Sequence, residues 1–205
     1  METPPPNVQG WIIVIGGFTE HRGEATGTNQ LWRKLRALSG PELCVYFCHW
    51  NEDFSQLAAF IAENSERERG VPYIHVAGYS WGAGHGAIQL AKRLKKRGLC
   101  VGQMTLCDPV YRSKLTVTRW VAMTAWALTI TVPDNVRCVT VFAQENDRPQ
   151  AFPVKHLGDV VTPEILDATH TDIDEHEVYH TCVLGCARGL AHQLGLPPRT
   201  IDRPN

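Results

Sequence analysis

Little in this chain points toward nucleic acid, a membrane or an oxidising compartment. Its 20 Lys and Arg nearly balance 21 Asp and Glu, for a formal net charge of −1, so no excess of one sign marks a polyanionic partner. The basic run Lys92-Arg93-Leu94-Lys95-Lys96-Arg97 closes a helical pattern ahead of Gly98, where cations suit the helix dipole and the solvent face. The apolar segment from Arg119 to Ile130 is too short for a membrane span. The opening Met1-Glu2-Thr3-Pro4-Pro5-Pro6 lacks the basic start and apolar core of a secretory leader. The seven cysteines, Cys44, Cys48, Cys100, Cys107, Cys138, Cys182 and Cys186, are an odd number without CxxC or zinc-finger spacing. Cys44, Cys107 and Cys138 fall in apolar strand patterns, where cysteine packs as a small buried hydrophobe. Cys182 and Cys186 sit four apart on a helical pattern and imply no crosslink. These absences suggest a reduced, cytoplasmic setting. Internal repeats and domain linkers are also missing. A chain of 205 residues, 43% hydrophobic and 20% charged, is expected to form one soluble domain over residues 10–196, with loose tails at 1–9 and 197–205.

What the chain does contain is an alternation of strand and helix patterns. Trp11-Ile12-Ile13-Val14-Ile15 is a continuous apolar run, as a strand covered on both faces should be, and it ends at Gly16-Gly17. Thr28-Asn29-Gln30 offers a helix N-cap for Leu31, Leu35 and Leu38, and Gly40-Pro41 stops that helix. Residues 43–48 read as the next strand. Asp53 caps a helix carrying Leu57, Phe60 and Ile61. Tyr73 to Ala77 is a strand, followed by a helix through Ile88, Leu90, Ala91 and Leu94. Val101–Cys107 and Val136–Phe142 are further strands. A short extended piece at Glu164-Ile165-Leu166 precedes a last helix, with Val178, Val183, Leu184, Ala187 and Leu190 on one face. This order predicts a single-domain α/β fold, a mainly parallel sheet flanked by helices on both faces, with no separate cap domain.

Between the third strand and its helix stands Gly78-Tyr79-Ser80-Trp81-Gly82, a G-x-S-x-G sequence in the strand–turn–helix setting of a nucleophile elbow. A serine on so sharp a turn has strained backbone angles, and its neighbours must lack a Cβ to clear the adjoining strand and helix. The turn lifts the hydroxyl off the sheet and aims a helix N-terminus at it, where N–H groups can hold an oxyanion. The alternative is a glycine-rich turn with a bystander serine.

A serine hydroxyl needs a neighbouring base to act as a nucleophile at neutral pH. His170 is the best placed of the nine histidines, in the polar loop from Asp167 to Asp172 between the last strand piece and the final helix. His176 and His180 could replace it if that helix starts late; His85, in the elbow helix, and His75, in a strand, are geometrically poor bases. The histidine requires an acid to orient it. Asp108 follows an apolar strand, and Pro109 keeps the chain from continuing the ladder. Asp147, and after it Glu145, are rivals one strand later, and Asp108 is also a common strand-end turn former. Two amides should face the oxyanion: Trp81, after the nucleophile, and Phe18 in Gly16-Gly17-Phe18-Thr19, with Gly17 leaving room for substrate.

These residues together resemble the α/β-hydrolase superfamily over nearly the whole chain: Gly16-Gly17-Phe18, then Gly78-Tyr79-Ser80-Trp81-Gly82, then an acid, then a late histidine. Leu106-Cys107-Asp108-Pro109 is also similar to the Leu-Asp-Pro segment that carries the acid in animal neutral lipases, which favours Asp108. The chain departs from the pattern in being short, in having no evident cap domain and in lacking a His-Gly pair before the oxyanion loop. The resemblance implies a small lipase- or esterase-like serine hydrolase that cleaves a carboxylic ester through an acyl-serine intermediate, with catalytic Ser80, Asp108 and His170, an oxyanion hole of Phe18 and Trp81, a small-molecule ester or acyl substrate, and no metal or organic cofactor. A thioesterase or amidase would use the same parts. A non-catalytic binding module that keeps the elbow as architecture is the alternative from another class.

Segment 110–135 bears on specificity. Trp120, Met123, Ala127 and Ile130 could form an apolar stripe, with Trp120 and Trp126 as candidate substrate contacts. The segment reads either as a helix packed on the sheet, as a lid or acyl-chain wall, or as a dimer interface.

Overall fold

The computed structural model describes residues 7–18, 20–65, 72–111 and 129–196. Trp120, Met123, Trp126 and Ala127, on which the stripe of the preceding section rests, lie outside the described residues, as does Thr19.

Strand β1 (Gly10–Ile15) is the centre of the molecule. Trp11, Ile12, Ile13, Val14 and Ile15 have no solvent exposure. Side chains alternate across a strand, so Trp11, Ile13 and Ile15 enter one core and Ile12 and Val14 the other. Helix α1 (Gly27–Arg36) follows, then β2 (Leu43–Cys48), α2 (Phe54–Asn64) and β3 (Tyr73–Tyr79). A π-helical turn, Gly82–Gly86, leads into α3 (Ala87–Lys95). Next come β4 (Val101–Cys107), β5 (Ile130–Val132) and β6 (Val136–Ala143), then β7 (Val154–His156), β8 (Asp159–Val161) and β9 (Glu164–Ile165). A short 3-10 turn, Ile173–Glu175, precedes α4 (Glu177–Gln193). Ile130 therefore stands in a strand and not on a helical stripe.

The main sheet has six strands in the order β2-β1-β3-β4-β6-β9, every neighbouring pair parallel. Helices α2 and α3 cover the face of Trp11 and Ile13, and α1 and α4 the face of Ile12 and Val14. The expected α/β architecture, parallel and covered on both faces, is what forms. Strands β5, β7 and β8 make a separate small sheet that the sequence patterns did not suggest. Because the main strands run one way, the turns after β1, β3, β4, β6 and β9 emerge at one edge. The strand order reverses at β1 and β3, where Ile15 pairs with Gly78, and such a switch point opens a crevice. Among the described residues, no helix is long and apolar enough to cross a membrane.

Several local expectations change. Thr26, not Thr28, caps α1, its side chain accepting from the Asn29 amide; Thr28 is committed elsewhere, its amide and hydroxyl bonding Asp174. Val8, assigned to a loose tail, is fully buried and its amide donates to the Asn64 carbonyl at 2.8 Å. On α4, Tyr179 takes the buried face and Val178 is 40% exposed. Cys107 is buried, as its strand pattern suggested, but Cys44 is only partly buried and Cys138 is exposed, in the first half of β6, where Arg137 is exposed as well and β9, which pairs only with Phe142 and Ala143, does not reach.

Candidate active site

Ser80 lies between the end of β3 and the π-helical turn with φ of +52°, a region a non-glycine residue occupies only under constraint. The constraint is visible. The Ser80 amide donates to Cys107 O at 2.9 Å, and its carbonyl accepts from Gly84 and Val110. A Cβ on Gly82 would come within 2.4 Å of Ile15 O, and one on Gly78 within 2.9 Å of the Ala83 backbone, so both glycines of the motif are required by close approach.

Ser80 Oγ is 3.0 Å from His170 Nε2. On the other side of the ring, His170 Nδ1 is 2.5 Å from Asp108 Oδ2. The loop after β9 carries His170 over the sheet edge, where the Tyr79 hydroxyl donates to the His170 carbonyl at 2.5 Å. Asp108 begins the turn after β4 with φ of +43° and is wholly buried. Its Oδ2 also accepts from Gln144 Nε2 at 3.1 Å, and its Oδ1 is buried without a hydrogen-bond partner among the described residues. An Nδ1–H held by Asp108 leaves Nε2 as the acceptor facing the serine hydroxyl.

The rival residues stand elsewhere. Asp147 and Glu145 are exposed, and the Asp147 carboxylate accepts the Arg148 amide. His176 caps α4. His180 is buried, with Nε2 2.7 Å from Asp174 O and Nδ1 3.1 Å from Lys34 Nζ; burial and that ammonium hold its pKa down at about 4. His75 is sealed in β3 against Thr105 at 3.1 Å, and burial lowers it to about 4. His85 stacks on Tyr111 with ring centroids 4.2 Å apart.

Trp81 opens the helix after Ser80, where the first N–H groups have no intrahelical acceptor. Phe18 stands opposite in the turn after β1. Its ring is 4.7 Å from that of Trp81 and 5.6 Å from that of Trp50, and its carbonyl accepts from Trp50 Nε1. The two candidate oxyanion residues are thereby packed on each other, and the 54% exposed Phe18 ring forms part of an aromatic wall with Trp50, Trp81 and Tyr111. Among the described residues, no group of three or more His, Cys, Asp or Glu is placed to hold a metal ion.

Three contributors to this region escaped the sequence reading: Gln144, Tyr79 and Glu20. Gln144 is 1% exposed, and besides Asp108 it bonds the Asp147 and Pro149 carbonyls and the Asp147 amide. Its position directly after β6, at the edge where the other turns emerge, is the one signal that could have marked it.

No protein-family model matches the chain, and no curated protein matches it in sequence. Among solved structures it is similar to a hyperthermophilic esterase from the archaeon Pyrobaculum calidifontis, with 16% identity, a TM-score of 0.49, and coverage of 93% of this chain and 78% of that one. It is also similar to the thermostable carboxylesterase EstE1 from a metagenomic library (14% identity, TM-score 0.49, 96% and 83%). The thioesterase RedJ of Streptomyces coelicolor is a third (13% identity, TM-score 0.48, 92% and 89%). A six-stranded parallel sheet with an elbow serine after β3 and turns gathered at one edge has a name. It is the α/β-hydrolase fold.

Proposed function

We propose that the protein is a serine hydrolase that cleaves a carboxylic ester through an acyl-serine intermediate. The observation that carries this reading is the continuous line from Ser80 Oγ to His170 Nε2 at 3.0 Å and from His170 Nδ1 to Asp108 Oδ2 at 2.5 Å. Ser80 Oγ attacks the substrate carbonyl carbon as its proton passes to His170 Nε2. The carbonyl oxygen gathers the negative charge and meets the Phe18 and Trp81 amides. The tetrahedral intermediate collapses as His170 gives that proton to the leaving alkoxide oxygen. Water then repeats the sequence on the acyl-serine, with His170 as base, to release the acid. Asp108 holds the imidazole in the tautomer that accepts from serine and stabilises the imidazolium. Thioester and amide hydrolysis need the same groups.

A fluorophosphonate probe tests the reading, because it phosphonylates only an activated serine. Labelling of the wild type at Ser80, its loss in Ser80→Ala, and turnover of a short acyl ester lost by several orders of magnitude in the same variant are expected. A wild type that is folded and does not label is a binding module, not an enzyme.

A further inference from the structure

Two buried carboxyls stand behind the turn that carries Gly17 and Phe18, outside the Ser80–His170–Asp108 line. Glu20 is 4% exposed and Asp174 is 2% exposed. Glu20 Oε2 accepts the Gly17 amide at 2.5 Å, closing a turn in which the Glu20 amide donates back to Gly17 O at 3.3 Å. Asp174 Oδ2 accepts the amide and hydroxyl of Thr28 at 2.8 and 3.3 Å. The Glu20 side chain is near enough to act directly on the Asp174 carboxyl, and Glu20 Oε1 is buried and finds no donor among the described residues.

Two carboxylates held together away from water cannot both be ionised. A buried acceptor without a donor is also costly. One proton resolves both problems: on Asp174 it neutralises one carboxyl and donates to the orphaned Glu20 oxygen. The surroundings favour that proton. Tyr79, Cys107 and Tyr179 face the pair from β3, β4 and α4, and burial pushes each of them up so that they stay neutral. Asp108 lies beyond Tyr79 and Cys107, and Glu175 adds like charge beside Asp174. His180, which contacts the Asp174 carbonyl, is held neutral with Lys34 on its far nitrogen. Burial first, and the Glu20 charge second, raise the Asp174 carboxyl to about 7.

We propose that Glu20 and Asp174 form a shared-proton pair that positions the oxyanion turn, clamping the Gly17 amide to the Ile173–Glu175 turn just after His170. With the Gly17 N–H held by Glu20, the backbone is fixed next to Phe18, whose amide serves the oxyanion in the hydrolase reading. The pair touches no substrate; it is a positioning device, and its catalytic consequence rests on the hydrolase reading above. Loss of the proton places two like charges behind the turn and loosens it, which lowers kcat and leaves KM nearly unchanged, because the lost contact is made only as the oxyanion forms.

Asp174→Asn is the decisive variant, since its amide keeps the acceptor for Thr28 and supplies a permanent donor to Glu20 Oε1. Dividing the variant's kcat by that of the wild type at each pH removes the pH effects that the two proteins share. The ratio is expected to stay near one at about pH 6 and to climb roughly tenfold by about pH 9, with a midpoint near 7 and a flat KM ratio. A ratio that is flat across this range, with both proteins active, overturns the proposal and leaves the hydrolase reading intact. A second measurement does not need turnover: the Gly17 amide resonance of the folded protein should shift with pH in the wild type, with a midpoint near 7, and stay fixed in Asp174→Asn. If the protein proves inactive but Gly17 titrates in this way, the pair stands and the hydrolase reading falls. A Gly17 amide that ignores pH in the wild type refutes the pair.

Discussion

Gln144 donates its side-chain amide to Asp108 Oδ2, the same oxygen that faces His170 Nδ1. The glutamine sits at the end of β6, and its three other bonds fold the 147–149 turn around it. It therefore gives the carboxylate a second anchor besides the histidine. Gln144→Leu keeps the volume and removes the donor. A hydrogen bond to a charged group contributes about 1.5–3 kcal/mol, and some of this is felt equally before and during reaction, so kcat should fall by roughly tenfold with little change in KM. Gln144→Glu should be worse in both kcat and melting temperature, because it sets a second carboxylate against Asp108. If kcat is unchanged in the leucine variant, the carboxylate is held by His170 and the Asp108 backbone alone.

The choice between two acids can be tested in one experiment. Asp108→Asn retains the shape of the side chain but offers an amide to Nδ1, which stabilises the wrong imidazole tautomer. Where such an acid orients a catalytic histidine, the loss in kcat is about 10⁴-fold. Asp147→Asn, at an exposed position bonded to its own turn, should stay within about twofold of wild type, as surface changes away from special contacts do. A large loss in the second variant and a small one in the first would reassign the role.

Most of the framework was legible because it rests on short-range patterns. The unbroken apolar run Trp11 to Ile15 could only be a strand covered on both faces, and Asp53 could be read as a cap because its bonds to Ser55 and Gln56 are local. The strand–turn–helix context of Ser80 is local as well, with glycines whose need is steric. The positions of Asp108 and His170 followed from parallel strands delivering their turns to one edge. What stayed hidden depends on contacts across the sheet edge. Glu20 and Asp174 lie 154 positions apart, counted from their residue numbers, and each alone reads as an ordinary loop acid. Gln144 carries no motif; its role exists only because β4 and β6 are neighbours in register, with Cys107 opposite Phe142. The N-cap of α1 was misplaced by two residues because Thr26 and Thr28 are equivalent in sequence, and only Asp174 distinguishes them.

The pair of thiols on α4 should differ sharply in reactivity. Cys182 and Cys186 stand one helical turn apart on α4, and their mutual influence lowers Cys186 and raises Cys182. The thiolate is the nucleophile in alkylation. With limiting iodoacetamide at about neutral pH, peptide mapping should find Cys186 modified before Cys182, and before the buried Cys48 and Cys107. Removing the neighbouring thiol in Cys182→Ala should slow Cys186. Equal rates at both helix positions would show that the contact does not polarise the pair.

His75 should make the fold sensitive to acid. It is wholly buried in β3, with Nε2 against the Thr105 hydroxyl and Nδ1 without a partner among the described residues. Burial disfavours the charged ring and lowers its pKa from 6.5 to about 4. Between those values the unfolded chain takes up a proton that the folded chain refuses. Stability is therefore fully expressed above about pH 6.5 and is lost as pH falls toward 4, by at most about 3 kcal/mol from this residue. His180, also lowered to about 4, acts in the same direction, whereas the raised Asp174 acts in the opposite one, because the folded chain holds a proton that the unfolded chain releases. A single wild-type curve mixes the three. Comparison with His75→Leu isolates one of them: the free-energy difference between variant and wild type, from urea unfolding at a series of pH values, should move in favour of the leucine variant as pH drops through this window. Parallel curves would mean that the buried ring is protonated without cost, and that Thr105 and its neighbours accommodate the charge.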